Sequence, residues 1–207
     1  MVREIRIYVE GGGRGRTSRS SIRDGLSDFF SPLIRLARDR RIAWKVIPSG
    51  SRTDTFASFA LALSEHPQAF NVLLVDSECG VTLPRWEHLR RQDGWYVPDL
   101  NEDHCHLMVQ TIEAWLIADP EALVGFYGQG FLQGALPSRQ DVEAIAKDDL
   151  MRALDRATVR TQKGRYHKIS HCADLLGRLD PERVRARARH CDLLFTTLEA
   201  RIRGTVG

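Results

Sequence analysis

The stretch Phe70 to Asp76, FNVLLVD, decides the fold class. A strand that shows one face to water alternates apolar and polar residues, and Val72 to Val75 do not alternate. A strand with this composition is covered on both faces, as a central parallel strand is. It ends in an acid, and Ser77 and Glu78 follow, so two carboxylates stand two residues apart just past the strand.

Upstream, Ile5 to Val9 alternates with period two and runs into Glu10 and the glycine-rich GGGRG, which is a strand followed by a loop. Ile22 to Arg41 carries a helical apolar stripe (Ile22, Leu26, Phe29, Leu33 and Ala37 among it) that Pro32 should kink or divide. AWKVIP from Ala43 to Pro48 predicts a second strand, and Asp54 to Ser64 a second helix. Downstream, Gly80 to Asp103 is rich in turn residues, and His106 to Thr111 predicts a further strand. IEAWLIADPEALVGFYG follows as a helix broken before Pro120 and stopped at Gly128. The order βαβα, then βα again, implies an α/β fold with a mostly parallel sheet flanked by helices. Beyond Pro137 the patterns are helical throughout: DVEAIAKDDLMRALDRA, ISHCADLLGRL and PERVRARARHCDLLFTTLEARIR. Residues 1–135 are therefore expected to form the α/β core and residues 136–207 a helical region packed on it as one compact unit.

The 207 residues, 43% hydrophobic and 28% charged, suffice for one sizeable core and exclude a fibrous or wholly disordered chain. No apolar run approaches the roughly 20 residues that cross a bilayer. The start MVREIRIYVEGGG has charges where a secretory signal is apolar, so a cytoplasmic location without membrane contact is expected. Cys79, Cys105, Cys172 and Cys191 form no C-x-x-C pair and should be free thiols. The net charge of +3 identifies no polyanionic partner by itself.

In an open parallel sheet ligands bind at the carboxyl ends of the strands, which is where Glu10, Asp76 and Glu78 fall. Three carboxylates there can share a hard cation such as Mg²⁺ or Mn²⁺, or each can simply cap a strand end. Burial of Asp76 against the apolar core would exclude the cation. Glu113, at the start of its helix, is a second-tier ligand whose alternative role is interaction with the helix N-terminus. Arg160 to Lys168, RTQKGRYHK, mixes arginine and lysine with tyrosine and histidine and suits phosphate gripping and base stacking. A solvated connecting loop has the same composition. Lys168 is the candidate transition-state cation, and Arg14, Arg16, Arg160, Lys163 and Arg165 are candidate nucleic-acid contacts. The glycines after Glu10 allow close approach to a phosphate but lack the G-K-[ST] of a P-loop. RVRARARH from Arg183 spreads its arginines over two helical faces, as a solvated helix does. Zinc is an alternative, since His104, Cys105 and His106 cluster and His171-Cys172 and His190-Cys191 are adjacent pairs; only His104 and His106 point the same way on a strand.

V-E-G at Val9 to Gly11, followed by the strand LLVDSE, resembles the Toprim pattern, in which a glutamate after the first strand and D-x-D or D-x-E after a later one assemble a metal site. MVQTIEAWLIADPEAL (Met108 to Leu123) and GRYHKISHCADLLGRLD (Gly164 to Asp180) resemble a Toprim-like family of unknown function, domain-of-unknown-function family 4276, often encoded beside ATPases in phage-defence loci. The resemblance implies metal-dependent nuclease chemistry on DNA or RNA, with Glu10, Asp76 and Glu78 at the matching positions and Mg²⁺ or Mn²⁺ as cofactor. It also implies an ABC- or AAA-type ATPase partner, and a homodimer is open. Glu78 stands where the commoner pattern has Asp, one methylene shorter. A second expectation is a non-catalytic sensor or interaction subunit of an ATPase complex.

Overall fold

The computed structural model describes residues 2–11 and 16–204. Four strands, β1 (Glu4–Glu10), β2 (Ala43–Gly50), β3 (Phe70–Asp76) and β4 (Cys105–Met108), form one sheet in the order β2-β1-β3-β4. All three strand pairings are parallel. The fold is thus α/β with helices on both faces of the sheet, as the order of elements implies.

FNVLLVD forms β3 with the predicted bounds and is buried at every position. The physical reason is visible in its two faces. Val72 and Leu74 enter the larger core with Ile5, Ile7 and Val9, whereas Leu73 and Val75 enter a second core with Tyr8, Phe59, Leu89 and Leu107. β2 lies at the sheet edge, where Pro48 removes no ladder bond that a neighbour needs.

The apolar stripe from Ile22 becomes two helices, α1 (Arg16–Phe29) and α2 (Ser31–Asp39), with Pro32 in the first turn of the second, where its missing N–H is harmless. Helix α3 (Arg52–Glu65) is capped by Ser51, whose hydroxyl accepts the Asp54 N–H at 3.2 Å. Helix α4 (Arg85–Asp93) lies inside the segment expected to be turns. Only His88 and Leu89 of it are buried, too few to give a periodic signal, and Gly94 in the left-handed conformation (φ 73°) ends it.

The expected strand to Thr111 stops at Met108, and Thr111 turns back towards the end of β3. The helix after it divides as expected into α5 (Glu113–Ala118) and α6 (Pro120–Tyr127), with Asp119 accepting the Ala122 N–H at the junction. The last third is helical: α7 (Lys147–Thr158), α8 (Lys168–Leu176), α9 (Pro181–Arg185) and α10 (Arg189–Arg203). Val142–Ala144 is a 3₁₀ turn, so the helix expected from Asp141 begins only at Lys147.

These helices share the larger core. Phe29 of α1 stacks on Trp115 of α5 (centroids 5.2 Å apart) and meets Phe195 of α10 edge-on at 5.5 Å. Each such ring, fully buried, contributes about 1.5–3 kcal/mol of burial. α1 also packs on α8 at Gly25, where a Cβ would stand 2.2 Å from the Ala173 carbonyl oxygen. Only glycine lets the two helices approach this closely.

The arginines of α9 and its neighbours form ion pairs and carbonyl bonds. Arg183 pairs with Asp119 and Glu121, Arg185 with Glu182, Asp192 and Glu199, and Arg187 donates to the carbonyls of Ile117 and Ala118. The solvated helix expected from RVRARARH is instead a set of ties between helices.

Candidate metal centre

The parallel register puts the carboxyl ends of β1 and β3 side by side, with Val9 opposite Leu74. At Val9 and Glu10 the pairing of β1 with β2 shifts by one residue, and Gly11 then exchanges two backbone bonds with Gly50 (3.0 and 3.2 Å). Such an irregularity re-aims the side chain next to it, here Glu10. Gly11 and Gly50 both have positive φ (132° and 96°), which this crossing needs and which glycine accepts without strain.

Glu78 reaches the same place through an uncommon backbone. Its φ is 65°, left-handed for a residue with a Cβ, at a cost on the order of 1 kcal/mol. The conformation is held by its N–H donating to the Gln110 carbonyl at 2.9 Å and by the preceding Ser77 N–H on the Met108 carbonyl at 3.0 Å. One ligand oxygen from each of Glu10, Asp76 and Glu78 then lies within 4.8 Å of the others, and among the described residues this is the group of acidic, histidine and cysteine side chains that can hold a metal ion. Ligands of an octahedral Mg²⁺ are about 3.0 Å apart when adjacent and about 4.2 Å when opposite, from bonds of about 2.1 Å, so the three oxygens have to draw together to share one ion. The donors are all hard oxygens, which fits such an ion.

Asp76 is only 4% exposed, but polar groups cover its carboxylate. Oδ1 accepts the Ile112 N–H at 2.9 Å, and Oδ2 accepts the Thr111 hydroxyl at 3.0 Å and Lys168 Nζ at 3.2 Å. Its burial is therefore not against the apolar core. Thr111 Oγ1 is also 2.5 Å from Glu113 Oε2, so one hydroxyl bridges the two carboxylates. Glu113 Oε1 accepts the Tyr166 hydroxyl at 3.0 Å, and Lys168 Nζ stands 3.4 Å from its Oε2. Glu113 thus lies behind Asp76, joined to it through Thr111 and Lys168.

The electrostatics follow from this crowding. Burial lifts the Asp76 carboxyl above its usual range, with Lys168 pulling the other way. Burial and then the Asp76 charge lift Glu10, against the pull of Arg52. Burial disfavours the Lys168 ammonium, yet Asp76 and Glu113 outweigh it and hold the amine above its ordinary value, hence charged. Carboxylates raised in this way gain by trading a proton for a cation.

Sequence reasoning passed over Arg52, Thr111 and Lys147. Arg52 is 3.4 Å from Glu10 Oε2, donates to the Asp76 backbone carbonyl, makes paired bonds to Asp93 (2.8 and 2.7 Å) and lies 5.0 Å over the Trp95 ring. Lys147 pairs with Glu78, and its backbone N–H donates to the Gln110 side chain at 3.1 Å. The signal that could have found both is position: each stands at the first residue of a helix that begins beside a strand end.

Other expected site residues lie elsewhere. Arg165 pairs with Asp155, Lys163 sits 4.5 Å over the Phe126 ring, and Arg160 is exposed. Arg14 and the glycines around it lie outside the described residues, and so does the side chain of Arg16. His104 Nδ1 donates to the Asn71 carbonyl (2.6 Å), while His106 is fully buried and its imidazole is depressed to about 3 by that burial. Neither joins the acidic cluster. Cys105, Cys172 and Cys191 are buried free thiols and Cys79 is an exposed one; burial pushes Cys172 up to about 12.

A parallel α/β sheet with three convergent carboxylates at its strand ends defines the class: an α/β protein with a candidate divalent-metal centre. The chain belongs to the family described as a domain of unknown function, DUF4276, whose model matches residues 9–199. A search of curated proteins gave no match. A solved structure of the C-terminal region of the Xanthomonas campestris pv. campestris OLD protein is similar over 99% of this chain and 95% of that one, with 19% identity and a TM-score of 0.44. No helix among the described residues is long and apolar enough to cross a membrane.

Proposed function

We propose that this protein is a metal-dependent nuclease acting on the phosphodiesters of DNA or RNA, with Mg²⁺ or Mn²⁺ held by Glu10, Asp76 and Glu78. One observation carries the reading: three carboxylate oxygens within 4.8 Å of one another at the ends of adjacent strands, with the Lys168 ammonium 3.2 Å from Asp76. Glu10, Asp76 and Glu78 would hold a divalent cation, which would supply water activation and charge stabilisation for phosphodiester displacement. Lys168, charged and half-exposed, is placed to meet the negative charge that develops on the phosphoryl oxygens. Glu113 and Thr111 hold Asp76 and Lys168 in position, and Glu113 is the proposed further ligand for a second ion. Arg14, Arg16, Arg160, Lys163 and Arg165 are proposed contacts to the nucleic-acid backbone. The Toprim-like character of the sequence supports this chemistry, and the family resemblance supports an ATPase partner and a role in phage defence.

The test is calorimetric titration of Mg²⁺ and Mn²⁺ into the wild type and into Asp76→Ala with Glu78→Ala, followed by cleavage assays on DNA and RNA with and without an ATPase partner. Saturable binding lost in the double variant, with metal-dependent cleavage, is the expected result. Metal binding without cleavage in any assembly favours a sensor or interaction subunit. Absence of metal binding to the wild type sinks the nuclease reading.

A further inference from the structure

Each of the three carboxylates has a cationic partner, and the three partners are held with unequal firmness. Arg52, beside Glu10, is fixed by Asp93, by the Trp95 ring and by the Asp76 carbonyl, and its side chain is 16% exposed. Lys168 reaches Asp76, Thr111 and Glu113 together. Lys147 pairs, among the described residues, with the single carboxylate of Glu78, and the two side chains are 37% and 32% exposed. An ion pair so open to water is held weakly. A divalent cation and the Lys147 ammonium cannot both rest on Glu78 without repelling each other at contact distance. The backbone of Lys147 stays tied to the Gln110 side chain, and Gln110 in turn receives the Glu78 N–H. The lysine side chain can therefore leave Glu78 while its Cα remains at the rim of the site.

We propose that Lys147 is an exchangeable counter-cation of this centre: it neutralises Glu78 while no metal is bound, yields that carboxylate to a divalent cation, and then pairs with a phosphate of the nucleic-acid substrate. The inference rests on the metal-dependent reading above. Glu10, Asp76 and Glu78 balance Arg52, Lys168 and Lys147 while no metal is bound, and a divalent ion in place of the Lys147 ammonium leaves one positive charge over, which a phosphate offsets. It also couples metal to substrate, since the ammonium becomes available to a phosphate only when the metal has arrived.

Two measurements on Lys147→Met, Lys147→Arg, Lys45→Met and the wild type test it; Lys45 pairs with Glu4, away from the acidic cluster. Calorimetric titration with Mn²⁺ alone should show Lys147→Met binding roughly two- to fivefold tighter than the wild type, the range an exposed ion pair allows. Lys147→Arg and Lys45→Met, which keep the pair, should match the wild type. Anisotropy of a fluorescent phosphorothioate oligonucleotide should show that Mn²⁺ strengthens its binding to the wild type and to Lys147→Arg, and severalfold less to Lys147→Met. Unchanged or weaker Mn²⁺ binding by Lys147→Met, or equal tightening in Lys45→Met, overturns the exchange. An equal Mn²⁺-dependent gain in oligonucleotide affinity in wild type and Lys147→Met overturns the phosphate step. Failure confined to the Lys147 variants leaves the nuclease reading standing, whereas no Mn²⁺ binding by the wild type overturns both.

Discussion

Lys168 Nζ lies 3.2 Å from Asp76 Oδ2, a contact that joins the first residue of α8 to the last residue of β3 across 92 positions of sequence. The carboxylate is nearly covered and the lysine is half-exposed, so the pair is unequal: Asp76 depends on its partner more than Lys168 does.

Removing the lysine should therefore be felt through Asp76. Lys168→Met leaves a buried carboxylate with one fewer donor and should lower stability by about 1–2 kcal/mol, reduced from the fully buried case because Lys168 meets solvent. Thermal unfolding checks this, and added Mn²⁺ should restore much of the loss. A variant as stable as the wild type without metal would show that Lys168 does not balance Asp76.

Asp76→Asn separates charge from shape. Burial already disfavours the Asp76 anion, but the amide keeps one acceptor oxygen where the carboxylate offers two, so metal-free stability at neutral pH should change by no more than about 1 kcal/mol while Mn²⁺ binding is abolished. Denaturant unfolding and calorimetry measured on the same variant decide it. Retained Mn²⁺ affinity would remove Asp76 from the metal centre.

The direction of pH dependence follows from Glu10 and Asp76, both raised above their ordinary values of 4.5 and 3.8. A carboxyl raised in the folded state binds more protons there than in the unfolded chain. Its contribution to metal-free stability is thus full below the ordinary value and falls as pH rises through the raised one. Metal must displace those protons, so Mn²⁺ affinity should climb with pH over the same window. Titration in two buffers of different ionisation enthalpy should reveal net proton release on binding. Affinity independent of pH would mean that neither carboxyl is a ligand.

Gly25→Ala probes how α8 is seated. Its Cβ would stand 2.2 Å from the Ala173 carbonyl, and forcing α1 and α8 apart should cost about 1–3 kcal/mol. Because α8 begins at Lys168, the displacement should also weaken any metal-dependent activity beyond what the stability loss explains. Unfolding and activity measured together on this variant provide the check.

The parts of the fold that were legible in sequence are those where one physical demand dominates. Phe70 to Asp76 had to be apolar on both faces, and Pro32 had to interrupt a stripe. Helix α4 was not legible because it buries only two residues and half-buries or exposes the rest, so no periodicity marks it. At the site, Glu10, Asp76 and Glu78 could be named because strand ends in a parallel sheet converge by topology. Their counterparts could not. Arg52 gathers Glu10, the Asp76 carbonyl and Asp93, Thr111 bridges Asp76 and Glu113, and Lys147 meets Glu78; most of these partners are far away in sequence, and a lone arginine, threonine or lysine is marked by nothing beyond its place at a helix start or after a strand. Glu78 could be named, but not the left-handed backbone that aims it, since nothing in D-S-E announces a positive φ.

The two lysines that meet the acidic cluster, Lys147 and Lys168, follow its last strand-end carboxylate, Glu78, by 69 and 90 residues. A chain interrupted before α7 would hold Glu10, Asp76, Glu78 and Glu113 together with neither lysine to offset them. Synthesis thus delivers the carboxylates with Arg52 as their early counter-cation and the two lysines last, so an incomplete product carries an excess of negative charge that disfavours closing the centre.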